Sequence, residues 1–422
     1  MKIFSNGYPT NMPNAEAVSQ GGPANFARLF STFVTSNTSH SWVGIMVSHS
    51  KSKTIRIKKS FSFPQRDYFK FYLPKKYYRL ITQANKVADP AIILEKPIKR
   101  LASLIKKENP DVVFLNGFSL FNWILLKAAV EAKVPIAIQH AGIWTKELNL
   151  YKHIYTKAGL KIMKQMEKDS TYLCSAEVFL NTWSRDYYQK HVAKKISGTV
   201  GIIPLPFDFA SFASLPKSQK KSVLSHLRPG LKIGTIARWD RIKNHKAFLS
   251  LARAAKREGL PWQFYSVTKI PENTRFAASK KSYEKNIKVV RSLDRVGIYD
   301  FCRAMDLLIL PSLFDVSPTV VLEAVSVKTP IVISGNVGYA HDFKESGAKD
   351  WVIDFKDIKK AKEKIKKIMQ KPLPQTLQNQ IKVNHGHEKV FLSYLNLFER
   401  ITEKKEIMPV IAPDALSALE LA

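Results

Sequence analysis

The chain has 422 residues, which is more than one hydrophobic core usually holds and therefore favours two domains. Its two cysteines, Cys174 and Cys302, are too few and too far apart in sequence for a disulfide framework or a CxxC metal site, which fits a reducing compartment. The net charge of +33 predicts an anionic partner (nucleic acid, lipid headgroups or a phosphorylated substrate), unless it only reflects a lysine-rich proteome.

The N-terminal residues lack the apolar stretch of a signal peptide. No run of roughly 18 apolar residues occurs, so no transmembrane helix is expected. We therefore expect a cytoplasmic protein.

Residues 1–215 alternate short apolar strands with helical stretches, which predicts parallel βαβ units in a Rossmann-like N-terminal domain. Strands are predicted at residues 1–4, 41–47, 111–115, 135–138, 178–180 and 200–203, and helices at 24–35 and 123–132.

A basic, proline-flanked stretch at residues 216–230 is predicted to be a linker, after which the alternation starts afresh. Residues 231–385 are predicted to form a second Rossmann-like domain. Its strands are predicted at 231–236, 262–267, 307–310, 330–334 and 352–354, and its helices at 246–259, 318–326 and 358–369. Residues 386–422 are predicted to form a C-terminal helix, which is a candidate to cross back to the first domain, and a tail.

The two domains form an α/β architecture of doubly wound sheets, in which ligands bind beyond the carboxyl ends of the strands. We therefore expect the active site in the cleft between the two halves.

The most informative segment is 310–324, LPSLFDVSPTVVLEA. A strand ends at Leu310, a loop carries Asp315, and a helix begins near Pro318, so free backbone N–H groups around residues 317–320 are expected to point into the cleft. A helix N-terminus is an anion site suited to a diphosphate. Glu323 lies about one turn further on, within reach of a ribose. From spacing alone, a capped helix after a strand explains the segment equally well.

A second segment, GTIARWDRIKNH at residues 234–245, follows the first strand of the second domain. Arg238 and Lys243 come from a strand-to-helix turn, where cations can neutralise the diphosphate of a leaving group. A basic surface turn is the alternative interpretation. The two segments together favour a phosphate site more than either does alone.

The chain resembles the retaining GT-B glycosyltransferases of family four, the "glycosyl transferases group 1" type. The family pattern PSxxEGFxxxxLEA is matched from Pro311 to Ala324, with Asp315 and Glu323 at its two acidic positions. The element G-R-x(4)-K is matched from Ala237 to Lys243. Asp306 before the LLILPS strand resembles the aspartate of the family's ADxxxxPS.

This resemblance implies the GT-B fold and a role for each matched residue. Arg238 and Lys243 would bind the donor diphosphate and stabilise the leaving group, Glu323 would hold the ribose, and Asp315 would contact the donor sugar. The backbone of the next four residues would cradle the phosphate or the sugar: Val316, Ser317, Pro318 and Thr319.

On the acceptor side, the resemblance implies that Gly21 and Gly22 form a glycine-rich loop. It also implies that His140, in the stretch IQHAG after a strand, lies near the sugar and the acceptor. A satisfied polar residue at a strand end is the alternative for His140. The family usually needs neither metal nor other cofactor, and the chain has no DxD motif.

The chain departs from the family pattern at Asp315, at the Val316–Ser317 pair and at His341. These departures leave the identity of the donor sugar open. The base, the acceptor, the linkage and the oligomeric state are open as well.

Two segments of the first domain combine basic with aromatic or apolar residues: 66–79 (RDYFKFYLPKKYYR) and 98–107 (IKRLASLIKK). Such residues suit a membrane interface, where rings lie at headgroup depth and cations meet anionic lipid. An ordinary helix with a solvated basic face is the alternative. Nucleic acid is not the expected partner, because no DNA- or RNA-binding motif accompanies the charge.

The sequence therefore predicts a glycosyltransferase that moves a hexose-type sugar from a UDP- or GDP-sugar to a glycan or lipid-linked acceptor, as in bacterial surface polysaccharide synthesis. We expect it to be peripheral on the inner face of the plasma membrane. Two alternatives are a GT-B-shaped nucleotide-sugar epimerase, which would act on the donor alone, and a basic binding protein without activity.

Overall fold

The fold is described from a computed structural model that covers residues 1–6, 22–50, 54–216, 227, 229–271, 277–291, 293–369 and 371–403. Most of the predicted linker and the tail after residue 403 lie outside the described residues.

The first half of the chain forms an eight-stranded sheet with the order β3-β4-β2-β1-β5-β6-β7-β8. Its strands are β1 Lys2–Ser5, β2 Ser41–Ser50, β3 Arg56–Phe63, β4 Arg66–Pro74, β5 Val112–Asn116, β6 Ile136–His140, β7 Ala176–Phe179 and β8 Thr199–Ile202. The pairing is parallel except between β3 and β4, which form an antiparallel edge. The six predicted strands are confirmed, whereas the β3–β4 hairpin was not predicted.

Nine helices of this half connect and cover the described strands. They are α1 Gly22–Asn37, α2 Lys75–Thr82, α3 Pro90–Ile93, α4 Glu95–Glu108, α5 Leu120–Glu131, α6 Trp144–Leu150, α7 Lys157–Leu173, α8 Thr182–His191 and α9 Phe209–Ala213. The helices expected at 24–35 and 123–132 correspond to α1 and α5.

The second half forms a six-stranded, all-parallel sheet with the order β11-β10-β9-β12-β13-β14. Its strands are β9 Leu231–Ile236, β10 Trp262–Val267, β11 Lys288–Val290, β12 Leu307–Leu310, β13 Ile331–Ser334 and β14 Val352–Ile353. Its helices are α10 His245–Arg257, α11 Ala277–Glu284, α12 Arg295–Ala304, α13 Thr319–Ser326, α14 Ala340–Glu345, α15 Ile358–Ile368 and α16 Gln375–His385. The chain order reverses next to β9, so loops on both sides of this point share one edge of the sheet.

The last described helix, α17 His387–Glu403, follows the second half but packs on the first. The Phe391 ring stacks on Phe30 of α1 with centroids 5.0 Å apart. The Tyr394 hydroxyl accepts a hydrogen bond of 2.7 Å from the Gln139 amide of β6. This helix therefore joins the two halves through buried aromatic contacts.

Four of the six aromatic residues of segment 66–79 are buried and cannot form the expected membrane interface, whereas Tyr78 is 41% exposed. Tyr68, Phe69 and Phe71 of β4 and Tyr77 of α2 are buried in the core. Successive side chains of a strand point to opposite faces, and Tyr68 packs in one core cluster while Phe69 and Phe71 pack in the other, so both faces of β4 are covered.

Helix α4, which contains the second basic segment, also turns its apolar side inward. Ile98, Leu101 and Ile105 are buried against the sheet. Its lysines form an ordinary solvated face, as the alternative interpretation holds. Within the part of the chain that the structure describes, no helix has both the length and the hydrophobicity for a membrane crossing.

We expect Phe391→Ala to lower the free energy of unfolding by about 3–5 kcal/mol, because it removes a buried ring and leaves a cavity between α17 and α1. Leu392→Ala is the matched control, since the Leu392 side chain is 50% exposed and its loss should cost less than about 0.5 kcal/mol. Urea unfolding followed by circular dichroism measures both. Equal losses in the two variants would contradict this packing of α17.

Candidate active site

Two loops of the second half meet beyond the carboxyl ends of neighbouring strands. Strands β9 and β12 pair directly, so the turn from β9 to α10 lies beside the loop from β12 to α13. Lys243 of the first loop forms a salt bridge and a hydrogen bond with the Asp315 carboxylate of the second. The Ser312 hydroxyl lies 3.4 Å from the same carboxylate oxygen. The two segments singled out from the sequence are therefore in direct contact.

Local hydrogen bonds fix the turn that carries Lys243. Asn244 adopts a left-handed conformation with a φ of 54°, which asparagine tolerates better than most residues. Its amide donates to the Pro311 carbonyl at 3.0 Å, and the Leu313 amide donates to the Ile242 carbonyl at 2.7 Å. The Asp240 carboxylate accepts from the Ile242 amide at 2.8 Å. The turn is thus tied to the neighbouring loop by its backbone as well as by Lys243.

The loop after β13 holds Asp315 by its backbone. The Asp315 amide donates to the Asn336 carbonyl at 3.1 Å, and the Gly338 amide donates to the Asp315 carbonyl at 2.8 Å. Gly338 is so close that a Cβ there would overlap both the Val316 carbonyl oxygen and the Asn181 amide. Only glycine allows the backbone at position 338 to lie this close to Val316 and Asn181 without a shift of the loop.

Asn181 links the other half of the protein to this loop. It lies between β7 and α8, caps α8 through its side-chain oxygen, and donates its amide to the Val316 carbonyl at 2.8 Å. One polar side chain therefore joins the two halves beside Asp315.

Helix α13 begins at Thr319 with Pro318 before it, and no side chain of the described residues caps its first turn. The Ser317 hydroxyl is engaged with the Tyr339 hydroxyl at 2.9 Å. The first turn thus offers backbone N–H groups and the positive end of the helix dipole, two features that favour an anion.

Glu323 lies on α13, one turn beyond its start, and is only partly accessible. Burial raises the pKa of its carboxyl to about 7, and Arg295 on α12 opposes this rise. Hydroxyl groups of a ligand that donate to this carboxylate would favour its charged form.

Arg238 remains free to reach a ligand. Its side chain is 76% exposed and lies 3.9 Å from the Asp240 carboxylate. Its backbone carbonyl accepts from the His245 ring at 2.7 Å, which fixes the main chain beneath it. Arg238 and Lys243 therefore leave the same turn, one exposed and the other paired.

Two residues on the first-half side of the cleft were not identified from the sequence. They are Glu147 of α6 and Tyr151 at the C-terminal end of that helix. The Tyr151 hydroxyl donates to the Asp240 carboxylate across the two halves. Glu147 lies so close to Gly142 that a Cβ on Gly142 would overlap its carboxyl. Burial raises the pKa of Glu147 to about 7, with further contributions from Glu167 and Asp240. The only sequence signal is their position soon after a strand end.

His140 is buried at the carboxyl end of β6, and its place near the sugar and the acceptor stays a prediction. Its imidazole is fully buried, bonded to the Glu177 carboxylate at 3.0 Å and stacked on Phe179 with centroids 4.6 Å apart. Tyr188 covers its other side at 4.5 Å. Among the described residues its other ring nitrogen, Nδ1, is buried without a hydrogen-bond partner, so His140 is not the fully satisfied polar residue of the alternative interpretation either.

The glycine-rich acceptor loop is described only in part. Gly22 begins α1, whereas Gly21 lies outside the described residues. Within the described ranges, no three His, Cys, Asp or Glu side chains are grouped so that they could hold a metal ion.

The fold resembles those of solved sugar-transferring enzymes. Sucrose-phosphate synthase from Thermosynechococcus elongatus matches with a TM-score of 0.70 at 13% identity, over 96% of this chain and 100% of that one. The UDP-forming α,α-trehalose-phosphate synthase from Burkholderia xenovorans, in complex with glucose-6-phosphate, matches with a TM-score of 0.68 at 15% identity, over 94% and 99%. These likenesses confirm the predicted GT-B fold.

A structure described as "Trehalose-6-phosphate from E. coli bound with UDP-2-fluoro glucose" also matches, with a TM-score of 0.68 at 12% identity, over 97% of this chain and 100% of that one. No curated protein sequence matches this chain significantly.

The fold likeness and a family match together define a nucleotide-sugar-dependent glycosyltransferase of the GT-B class. Residues 219–385 match the family described as "Glycosyl transferases group 1", and they include Arg238, Lys243, Asp315 and Glu323. The chain therefore carries a glycosyl transferases group 1 domain and is a glycosyltransferase. This confirms the resemblance drawn from the sequence motifs.

We expect Gly338→Ala to weaken nucleotide binding at least tenfold, because the added methyl displaces the Val316 carbonyl and the Asn181 amide beside Asp315. Gly335→Ala in the same loop is the control, since its Cβ would meet only Val352 at 4.0 Å. Calorimetric titration with UDP and GDP measures the effect. Unchanged binding in Gly338→Ala would contradict the role of this loop in positioning the site.

Proposed function

We propose that the protein transfers a sugar, with retention of anomeric configuration, from a UDP- or GDP-sugar to a glycan or lipid-linked acceptor. The observation that carries this proposal is the meeting of Lys243 with the loop that starts α13. A cation and an uncapped helix N-terminus converge there on one volume beyond the sheet, and both attract the diphosphate of a nucleotide sugar.

In the proposed complex, Lys243 and Arg238 neutralise the charge that develops on the diphosphate as the bond to the sugar breaks. Arg238 is exposed and needs only a side-chain rotation, whereas Lys243 exchanges part of its contact with Asp315 for the ligand. Glu323 accepts hydrogen bonds from the ribose hydroxyls, and Asp315 contacts the sugar. The backbone of residues 316–319 lines the phosphate.

Retention is supported by the likeness to trehalose-6-phosphate synthase, one structure of which is described in terms of glycosyl transfer with retention. The complex of a related structure with UDP-2-fluoro glucose favours UDP as the first base to test. Asp315 in place of the usual glutamate shortens the reach to the sugar by one methylene, so a different donor sugar is expected to fit.

A lipid-linked acceptor is supported by an exposed apolar patch on α2 and the turn that follows α6. Tyr78 and Leu80 of α2 and Ile154 are 41%, 51% and 45% exposed. The Gln83 amide donates to the Ile154 carbonyl at 2.9 Å, which brings the two segments together. Lys75 and Lys76 are exposed at the start of α2, so cations flank the apolar side chains as a peripheral site on an anionic membrane requires.

Calorimetry with UDP and with GDP tests the proposed donor site. We expect one of them to bind the full chain at concentrations up to millimolar. Lys243→Ala and Glu323→Ala should each lower transfer activity at least tenfold, which is about 1.4 kcal/mol in the barrier. Failure of both nucleotides to bind would refute the proposal.

The matched control is Lys256→Ala, which removes an exposed lysine at the far end of α10 and should leave activity within twofold. Wild-type turnover in both site variants would refute the assignment of these residues. A parallel assay with donor alone separates transfer from epimerisation, because only an epimerase turns over the sugar without an acceptor.

A further inference from the structure

A groove of about 340 Å³ lies between α6, α7 and α8, outside the donor site described above. Its volume falls in the range of small-molecule sites, about 300–1,000 Å³. Its charged lining is entirely basic: Lys146, Lys161, Lys164, Lys168 and His191. Thr145, Asn149, Gln165 and Tyr187 add neutral polar groups.

Within the part of the chain that the structure describes, the lysines of this basic groove form no salt bridge. Among the described residues, no carboxylate lies within 4.0 Å of the ammonium group of Lys146, Lys161, Lys164 or Lys168. Positions 161, 164 and 168 follow a helical spacing, so α7 presents three ammonium groups on one side. Each would gain from a shared anionic ligand.

Both acidic residues of α7 are hydrogen-bonded within the protein. The Glu167 carboxylate is buried and accepts from the Trp144 and Thr145 amides at 2.7 and 2.5 Å, so it holds the start of α6. The Asp169 carboxylate accepts from the Gln165 amide at 2.7 Å. Since Gln165 lines the groove and Asp169 attracts Lys168, Asp169 offsets part of the charge, and the four lysines still leave the groove with an excess of positive charge.

The groove adjoins the donor cleft through Lys146. Its ammonium lies over the Tyr187 ring at 5.6 Å and over the Phe314 ring at 5.8 Å. Phe314 directly precedes Asp315, and Lys146 directly precedes Glu147, whose carboxyl lies on the cleft side of α6. The groove and the proposed sugar position therefore lie on the two sides of the Lys146–Phe314 contact.

We propose that this basic groove binds a phosphate-bearing group of the acceptor, which places the acceptor's reactive end in the adjoining cleft. Several ammonium groups around a small concave volume suit a compact, multiply charged anion such as a phosphate ester or diphosphate. The role as an acceptor site rests on the proposed function, whereas the anion site itself does not. A soluble sugar phosphate and a lipid diphosphate share the required chemistry.

Titration of the full chain with inorganic pyrophosphate, in saturating UDP or GDP, tests the groove. The variant replaces Lys161, Lys164 and Lys168 by Gln. We expect it to bind pyrophosphate at least tenfold more weakly than the wild type, while its nucleotide affinity stays within twofold. The control replaces Lys359, Lys364 and Lys367 of α15 by Gln, which removes the same charge from an exposed face elsewhere.

A second arm measures co-sedimentation with phosphatidylcholine vesicles with and without phosphatidic acid. Binding to the acidic vesicles that the groove variant loses and the α15 variant keeps identifies a lipid headgroup as the source of the phosphate. A pyrophosphate response alone identifies a soluble one. If the groove variant matches the α15 variant in both arms, the proposal is wrong.

These outcomes separate the groove from the donor site. If no nucleotide binds, the proposed function fails, but the comparison of the two lysine variants without nucleotide still reports on the groove. If nucleotide binds and the groove variant behaves as the wild type, the groove proposal fails and the proposed donor site stands.

Discussion

The ion pair between Lys243 and Asp315 is the contact on which the rest of the candidate site depends. The two side chains are only 17% and 14% exposed, and their contact offsets the cost of removing each from water. The pair joins the turn after β9 to the loop after β12, and the backbone of Asp315 is held in turn by the loop after β13. Three loops at one edge of the sheet are thereby held together through Asp315.

This arrangement also sets the charge that a ligand meets. The protein carries a net charge of +33, yet the cleft contains the carboxyl groups of Asp315, Asp240, Glu147 and Glu323. Since burial raises the pKa of Glu147 and of Glu323 to about 7, both are largely protonated below that pH and ionise above it. A protonated carboxyl does not repel a diphosphate. When Glu147 and Glu323 are protonated, Arg238 and Lys243 therefore share the cleft with fewer negative charges than the number of its acidic residues suggests.

The second half of the fold and the candidate site residues on its loops could be predicted from the sequence because their signals are local. The strands at 231–236 and 307–310 are short apolar runs, and Pro318 marks the start of α13. Lys243 and Asp315 were identified from motifs, although their direct contact depends on strands that are adjacent in space and distant in sequence.

The remaining features depend on tertiary contacts that no local pattern reports. The rings of segment 66–79 suggested a membrane surface, but most of them pack in the core, whereas Tyr78 of α2 is exposed. His140 has the sequence position of a site residue, yet Glu177 and two aromatic rings enclose it. Glu147 belongs to no sequence motif. It reaches the cleft only because α6 is positioned there by tertiary packing.

A crystal structure of the full chain with UDP or GDP tests the central claim most directly. The account predicts diphosphate oxygens at about 3 Å from the Lys243 ammonium and from backbone N–H groups in the first turn of α13. A nucleotide bound elsewhere on the protein, with the Lys243–Asp315 pair and the start of α13 untouched, would contradict it.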